Sequence, residues 1–359
     1  MIAGINKPRM VIDKTICLKN IKKMAEKAHR HGLIFRPHFK THQSAEVGNW
    51  FRDFGVESIT VSSVTMASYF AKHGWKDILV AFPVNILELD DINRLAGEIK
   101  LSLLLESEET FKFLSNKLQH PCNFYIKIDT GYHRTGLDAS NTKIISSILF
   151  KSQHDPMLSF KGFLVHSGNT YDAKSKQEIG QIHLQSIRKL QALKEEFIHA
   201  FPGLLLSIGD TPSCSIMEDF SGIDEIRPGN FVFYDVMQNE LGSCHTDEIA
   251  SAVLCPVVAK HMERNEIVIY GGAVHLSKDF VLNSKGEAMY GLISLLFKNN
   301  SWSRPLEETF IRKLSQEHGI IRTNKETYDR IHIGNLLAVL PVHSCLVSDL
   351  LIRESIIWD

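Results

Sequence analysis

The succession of apolar segments predicts an α/β chain, a TIM (β/α)8 barrel followed by a C-terminal, mostly β domain. Three observations predict it. Short apolar runs alternate with amphipathic helical ones over about 220 residues, giving eight strands with crossovers. Near residue 241 the alternation stops, and the apolar runs become strand-like and turn-separated. Side chains able to do chemistry fall at the C-terminal ends of the alternating strands, where barrels carry their sites. A doubly wound sheet shares the alternation, since strand order is invisible in sequence. Eight units suit the barrel better.

The elements follow in order. A short strand "RMVID" precedes the amphipathic helix "CLKNIKKMAEKAHRHG", whose basic last turn and glycine mark a C-terminus. Then "LIFRPHFK" pairs with the helix "AEVGNWFRDFG", "SITVSS" with "TMASYFAKHG", and "DILVAF" with "ILELDDINRLAG". "KLSLLLES" is followed by "SEETFKFLSNKL", and "CNFYIKID" by "SNTKIISSILFKSQ". "FKGFLVHSG" leads to the long helix "QEIGQIHLQSIRKLQALKEEFIHAF", and "LLLSIGD" and "IRPGNFVFYD" close the series. Residues 13–240 are the expected barrel. Residues 241–359 form the second domain, with "IASAVLCPVVAKH", "EIVIYGG" and "NLLAVLPVHSCLV" as strands, and residues 1–12 add a strand to it.

Composition narrows the function. The 359 residues are 44% apolar with a formal net charge of −1, which gives no electrostatic footing for nucleic acid or a membrane surface. No stretch approaches the roughly 18 consecutive apolar residues of a membrane span. "MIAGINKPRM" has no apolar h-region, so no signal peptide is expected. Six scattered cysteines lack the spacing of a disulfide framework and read as reduced thiols in a cytoplasmic protein.

The segment "FRPHFKTH" places Arg36, His38 and Lys40 on one face and Phe35, Pro37 and Phe39 on the other. Lys40 ends the first barrel strand. Asp129 and Arg134 follow the fifth, His166 and Tyr171 the sixth, "SIGDTPS" the seventh, and "RPGN" opens the eighth. Backbone N–H groups of Gly209, Asp210, Thr211 and Ser213, with two hydroxyls, form a candidate phosphate cradle. A lysine and a phosphate cradle at one barrel mouth suit a Schiff-base pyridoxal phosphate enzyme. The plainer reading is a solvated strand-end lysine and an ordinary turn. His343 and Cys345 in "PVHSC", two apart on an expected strand, share a face and are good zinc donors, but an isolated His-x-Cys is more often chance. Cys244 and His245 make a weaker pair of the same kind.

The segments "KPRMVIDKTICLKNIKKM", "RPHFKTH", "IDTGYHRTG", "HSGNTY", "SIGDTPS", "EIRPGNFVFYD", "SQEHG" and "PVHSC" run in order from residue 7 to residue 345. Together they resemble the fold-type III, alanine racemase-like pyridoxal phosphate enzymes of the D-threonine aldolase and D-serine dehydratase family. The resemblance implies pyridoxal phosphate at the barrel mouth, with Lys40 as Schiff-base lysine and base at Cα. His38, Arg134, His166, Tyr171, Gly209, Asp210, Thr211, Gly229 and Asn230 would bind the cofactor, Tyr171 and Arg134 approaching its ring. His318 would line the site, and His343 and Cys345 would hold a catalytic zinc, the thiolate disfavouring manganese or magnesium. It further implies a homodimer acting on a small D-β-hydroxy amino acid, by dehydration to a 2-oxo acid and ammonia or by aldol cleavage to glycine and an aldehyde. A racemase or a non-catalytic cofactor carrier fits less well, the latter because carriers resemble the barrel alone. Asp210 departs from the expected small residue, because a carboxylate beside a phosphate is repulsive.

Overall fold

A computed structural model describes residues 4–359. The chain divides into two compact units, one of residues 23–40 and 45–229, the other of residues 1–22, 41–44 and 230–359.

The first unit is a parallel barrel. Its strands are Ile34–Phe35, Ser58–Val61, Asp77–Pro83, Lys100–Leu105, Cys122–Asp129, Leu158–Val165, Leu205–Ile208 and Glu225–Ile226, and from Ser58–Val61 onward each pairs with the next of these. The ring closes where Glu225–Ile226 pairs with Ile34–Phe35 and where His38 bridges Thr60. Strand order therefore excludes the doubly wound alternative. Gly162 permits one close approach, since a Cβ there would lie 1.9 Å from the Leu205 carbonyl oxygen.

The first barrel strand is shorter than "LIFRPHFK" suggests. Pro37 has no N–H to donate, yet amides continue to pair beyond Phe35. Arg36 and His38 donate to Ile226 and Pro228 at 3.0 and 2.9 Å, and Phe39 donates to Thr60 at 2.8 Å. The two faces separate as their chemistry requires. Phe39 is fully buried against Phe51, Phe70 and Trp75, with ring centroids 5.0–5.1 Å away. Arg36 is buried against Glu225 at 2.7 Å and Asp77 at 2.6 Å. Ser207 donates to Glu225 at 2.6 Å, and Arg227 to Ser207 at 2.7 Å. One layer of the barrel is thus a hydrogen-bonded ion network, in which every buried charge has a partner.

The second unit is an antiparallel barrel. Ser251–His261, Glu266–Tyr270, His318–Arg322, Phe310–Leu314, Gly291–Phe297 and Leu336–Pro341 close into a ring. Arg9–Asp13 pairs antiparallel with Ser251–His261, and Ile356–Trp358 adds to its far edge. The expected strand over "NLLAVLPVHSCLV" stops at Pro341, and Ser344–Leu351 is a helix with His343 at its N-cap. "CLVSDLL" has the apolar spacing of a helix face, and the strand pattern ends at the proline.

Candidate functional site

In the parallel barrel the loops after the first, sixth and seventh strands bring named side chains together. Lys40 is half-buried, and its N–H donates to His38 Nδ1 at 3.3 Å. His166 follows its strand directly, with Nδ1 hydrogen-bonded to the Gly209 carbonyl. A carbonyl only accepts, so Nδ1 carries the proton and Nε2 keeps its lone pair. Burial holds the His166 pKa well below its ordinary value, and the positive charges of Lys40, Lys127 and Arg134 add to the effect. The imidazole is therefore neutral. The Tyr171 and His166 rings lie 6.3 Å apart, and the Tyr171 hydroxyl accepts from the Thr211 N–H at 3.4 Å. Tyr171 is thus tied to the expected phosphate loop.

That loop caps the helix Thr211–Ile216. Asp210 is its N-cap, accepting from the Ser213 N–H at 2.8 Å and the Thr170 hydroxyl at 3.0 Å. Burial holds the Asp210 carboxyl above its usual range despite these bonds. Its oxygens are turned onto protein donors, which answers the objection raised by a carboxylate in this loop. Thr211 Oγ1 is buried without a hydrogen-bond partner, as a donor kept for a ligand would be. Gly209 has a packing reason of its own, because a Cβ there would stand 2.9 Å from Arg227 Cβ and 3.0 Å from the Arg227 carbonyl oxygen.

Arg134 is exposed, with its guanidinium 4.9 Å from the Tyr132 ring centre. Asp129 is committed to the turn that carries it, accepting the N–H groups of Gly131, Tyr132 and His133 at 2.8–3.1 Å. Two buried basic side chains next to His166 and its strand lie outside the sequence reading. Burial, then Arg227 and Arg134, push the Lys127 pKa down to about 7. Arg227 donates to the Val165 carbonyl at 2.6 Å, fixing the strand end that bears His166. Charge at alternate positions in "YIKID" is the signal that points inward.

In the second unit His343 and Cys345 meet although no strand aligns them, because a strand-to-helix corner does so. Their side chains hydrogen-bond, and His343 Nδ1 lies 2.7 Å from Asp279 Oδ2. Burial alone would lower the His343 pKa, but the bonds to Asp279 and Cys345 outweigh it and raise it to about 10. Cys345 Sγ is 3.2 Å from Thr41 Oγ1 and 3.6 Å from Asn230 Nδ2. Ser344 between them donates its N–H to buried Asp235 at 2.9 Å, and Asn230 donates to the same carboxylate at 2.6 Å. The Asn230 amide is thereby committed within this unit, so its side-chain donor is not free for a phosphate. No cluster of three or more His, Cys, Asp or Glu side chains suited to a metal is found among the described residues. An imidazole and a thiol in contact, each backed by further hydrogen bonds, fit a zinc with open positions. His318 is exposed at the head of its strand, opposite Tyr270. Cys244 is buried while His245 is exposed, so they share no face.

Residues 12–236 match the family "Alanine racemase, N-terminal domain", and residues 250–353 match "Putative serine dehydratase domain". A D-serine dehydratase of Dictyostelium discoideum is 28% identical, over 97% of this chain and 92% of that protein. The solved D-threo-3-hydroxyaspartate dehydratase of Delftia sp. HT23 superposes with a TM-score of 0.88 at 25% identity, covering 96% of this chain and 92% of that one. That enzyme is also known as a cysteine-to-alanine variant in a metal-free form, and as a histidine-to-alanine variant two positions earlier. A D-threonine aldolase of Arthrobacter is 22% identical over 65% of this chain and 62% of that protein. The barrel match spans more than half of the chain and the second match follows it in the β unit, so the chain belongs to the alanine racemase-like enzymes, in their D-serine dehydratase and D-threonine aldolase family.

Proposed function

We propose that the chain is a pyridoxal phosphate- and zinc-dependent lyase that dehydrates D-β-hydroxy amino acids of the D-serine or D-threonine type to a 2-oxo acid and ammonia. The observation that carries the zinc-dependent reading is the contact between His343 and Cys345, with Thr41 and Asn230 on the sulfur and Asp279 on the imidazole. A cysteine-to-alanine variant of the Delftia enzyme has been solved in a metal-free form, which supports a metal reading of Cys345. Thiolate and imidazole favour zinc over manganese or magnesium.

When bound, pyridoxal phosphate supplies an electron sink for Cα, and zinc a Lewis acid for the β-hydroxyl. Lys40 would anchor the cofactor and take the Cα proton. Thr211 Oγ1 and the 209–213 backbone, with Gly229, would hold its phosphate. His166 stays neutral and contributes a positioned, uncharged imidazole. Arg134, His38 and the Tyr171 hydroxyl would complete the set, and His318 would be the further catalytic residue that the resemblance implies. The Cα–H electron pair becomes the Cα=Cβ bond as Cβ–O breaks. Water leaves, and the enamine hydrolyses to 2-oxo acid and ammonia.

Aldol cleavage uses the same residues but would move the hydroxyl proton first. The dehydratase relative aligns over 97% of this chain and the aldolase over 65%, which favours dehydration. On the same resemblance we assign a homodimer, and six free cysteines, five of them buried, accord with a reducing compartment.

Chelation tests the reading. A protein shown zinc-free by elemental analysis should form no 2-oxo acid from D-serine yet keep its visible cofactor absorbance, and zinc should restore turnover. Full activity without metal would contradict it.

A further inference from the structure

The imidazole of His343 is held from behind. Asp279 Oδ2 lies 2.7 Å from its Nδ1, so Nδ1–H donates to the carboxylate, and Nε2 is the nitrogen that would meet a metal on releasing its proton. Asp279 reaches this position through an unfavourable loop. Ser277, just after the helix Ala273–Leu276, has φ 64° and ψ −174°. Such a conformation costs a non-glycine residue about 1–3 kcal/mol. The Asp279 N–H closes the loop onto Ser277 Oγ at 3.2 Å. The pair it forms with His343 is part-buried, and it is the contact that this loop conformation serves. The carboxylate is therefore placed for what it does to the imidazole.

We infer that Asp279 is a positioning residue for the metal: it fixes the Nδ1–H tautomer of His343, aims Nε2 at the ion, and raises the basicity of that nitrogen. This rests on the proposed zinc reading of His343 and Cys345. The sulfur already has its own supports in Thr41 and Asn230, and Asp279 is the corresponding support on the histidine side. Carboxylate partners of metal-bound histidines act in this way, and their loss lowers metal affinity about 10–100-fold.

The test is zinc binding itself, by equilibrium dialysis of the full chain at fixed pH with metal content measured. Wild type, Asp279→Ala, Asp279→Asn and His343→Ala are compared, with the unfolding midpoint of each zinc-free protein. Asp279→Ala should bind zinc about 10–100-fold more weakly, and Asp279→Asn should recover part of the loss, because its amide oxygen still accepts the Nδ1–H. The zinc-free stability of Asp279→Ala should fall by less than its zinc-binding free energy does. If Asp279→Ala binds zinc as wild type does, or if its loss is matched by an equal fall in zinc-free stability, the positioning role is overturned. A wild type that retains no zinc overturns the metal reading itself, which is a different result.

Discussion

The three basic side chains of "FRPHFKTH" share a face in sequence but not an environment. Arg36 is neutralised by two carboxylates, His38 supports the Lys40 backbone, and Lys40 is left half-buried. Period two distinguishes inward from outward positions, but it cannot show that Glu225, from another strand, waits for Arg36. We expect borohydride reduction of the holoprotein to fix the pyridoxyl group on Lys40, read by peptide mapping, and Lys40→Ala to lose turnover because anchor and base go together. Label on a different lysine would displace the site from the barrel mouth. Thr211 offers a finer test. Its buried hydroxyl has no protein partner, and a hydrogen bond to a charged phosphate is worth about 1.5–3 kcal/mol. Thr211→Val should therefore weaken cofactor binding by about tenfold or more, measured by titrating the apoprotein. An unchanged affinity would remove Thr211 from the cradle.

Single elements were legible where local pattern decides them. The strand over Cys122–Asp129 and the helix over Lys176–Phe197 lie close to where periodicity puts them. The stretch after Pro341 was not, because a short apolar run fits either a strand or a helix. His343 and Cys345 meet at a corner built by Asp235, which is far away in sequence. Asp279 has no motif at all, since its place depends on a turn that propensity disfavours. The ion layer of the barrel was equally hidden. Arg36→Ala would leave Glu225, fully buried, with Ser207 but without its nearest cation, and breaking such a pair costs about 3–5 kcal/mol. The denaturant midpoint should fall accordingly, and a fall below about 1 kcal/mol would mean the layer is hydrated instead.

At the scale of the whole molecule, eight alternations gave the barrel, while only the pairing of Glu225–Ile226 with Ile34–Phe35 and the His38–Thr60 bridge establish its closure. Packing at this scale also sets the acid response. Burial lowers the pKa of His42 from 6.5 to about 3, and His166 is depressed too. The folded state keeps both neutral while the unfolded chain protonates them. The contribution of these two histidines should thus be fully present above about pH 6.5 and decline as pH falls toward the folded values, by about 1.4 kcal/mol per unit for each histidine. Urea midpoints measured from pH 7 to pH 4 should show this slope, and His42→Gln should flatten it. A slope unchanged in the variant would assign the acid response to other groups.

The central claim concerns which bond breaks. The most direct measurement gives the zinc-loaded holoprotein D-threonine and quantifies both possible products in one sample. Dehydration predicts 2-oxobutanoate and ammonia in equal amounts, with no glycine and no turnover of L-threonine. Glycine and acetaldehyde as the main products, or equal turnover of the L-enantiomer, would contradict the account.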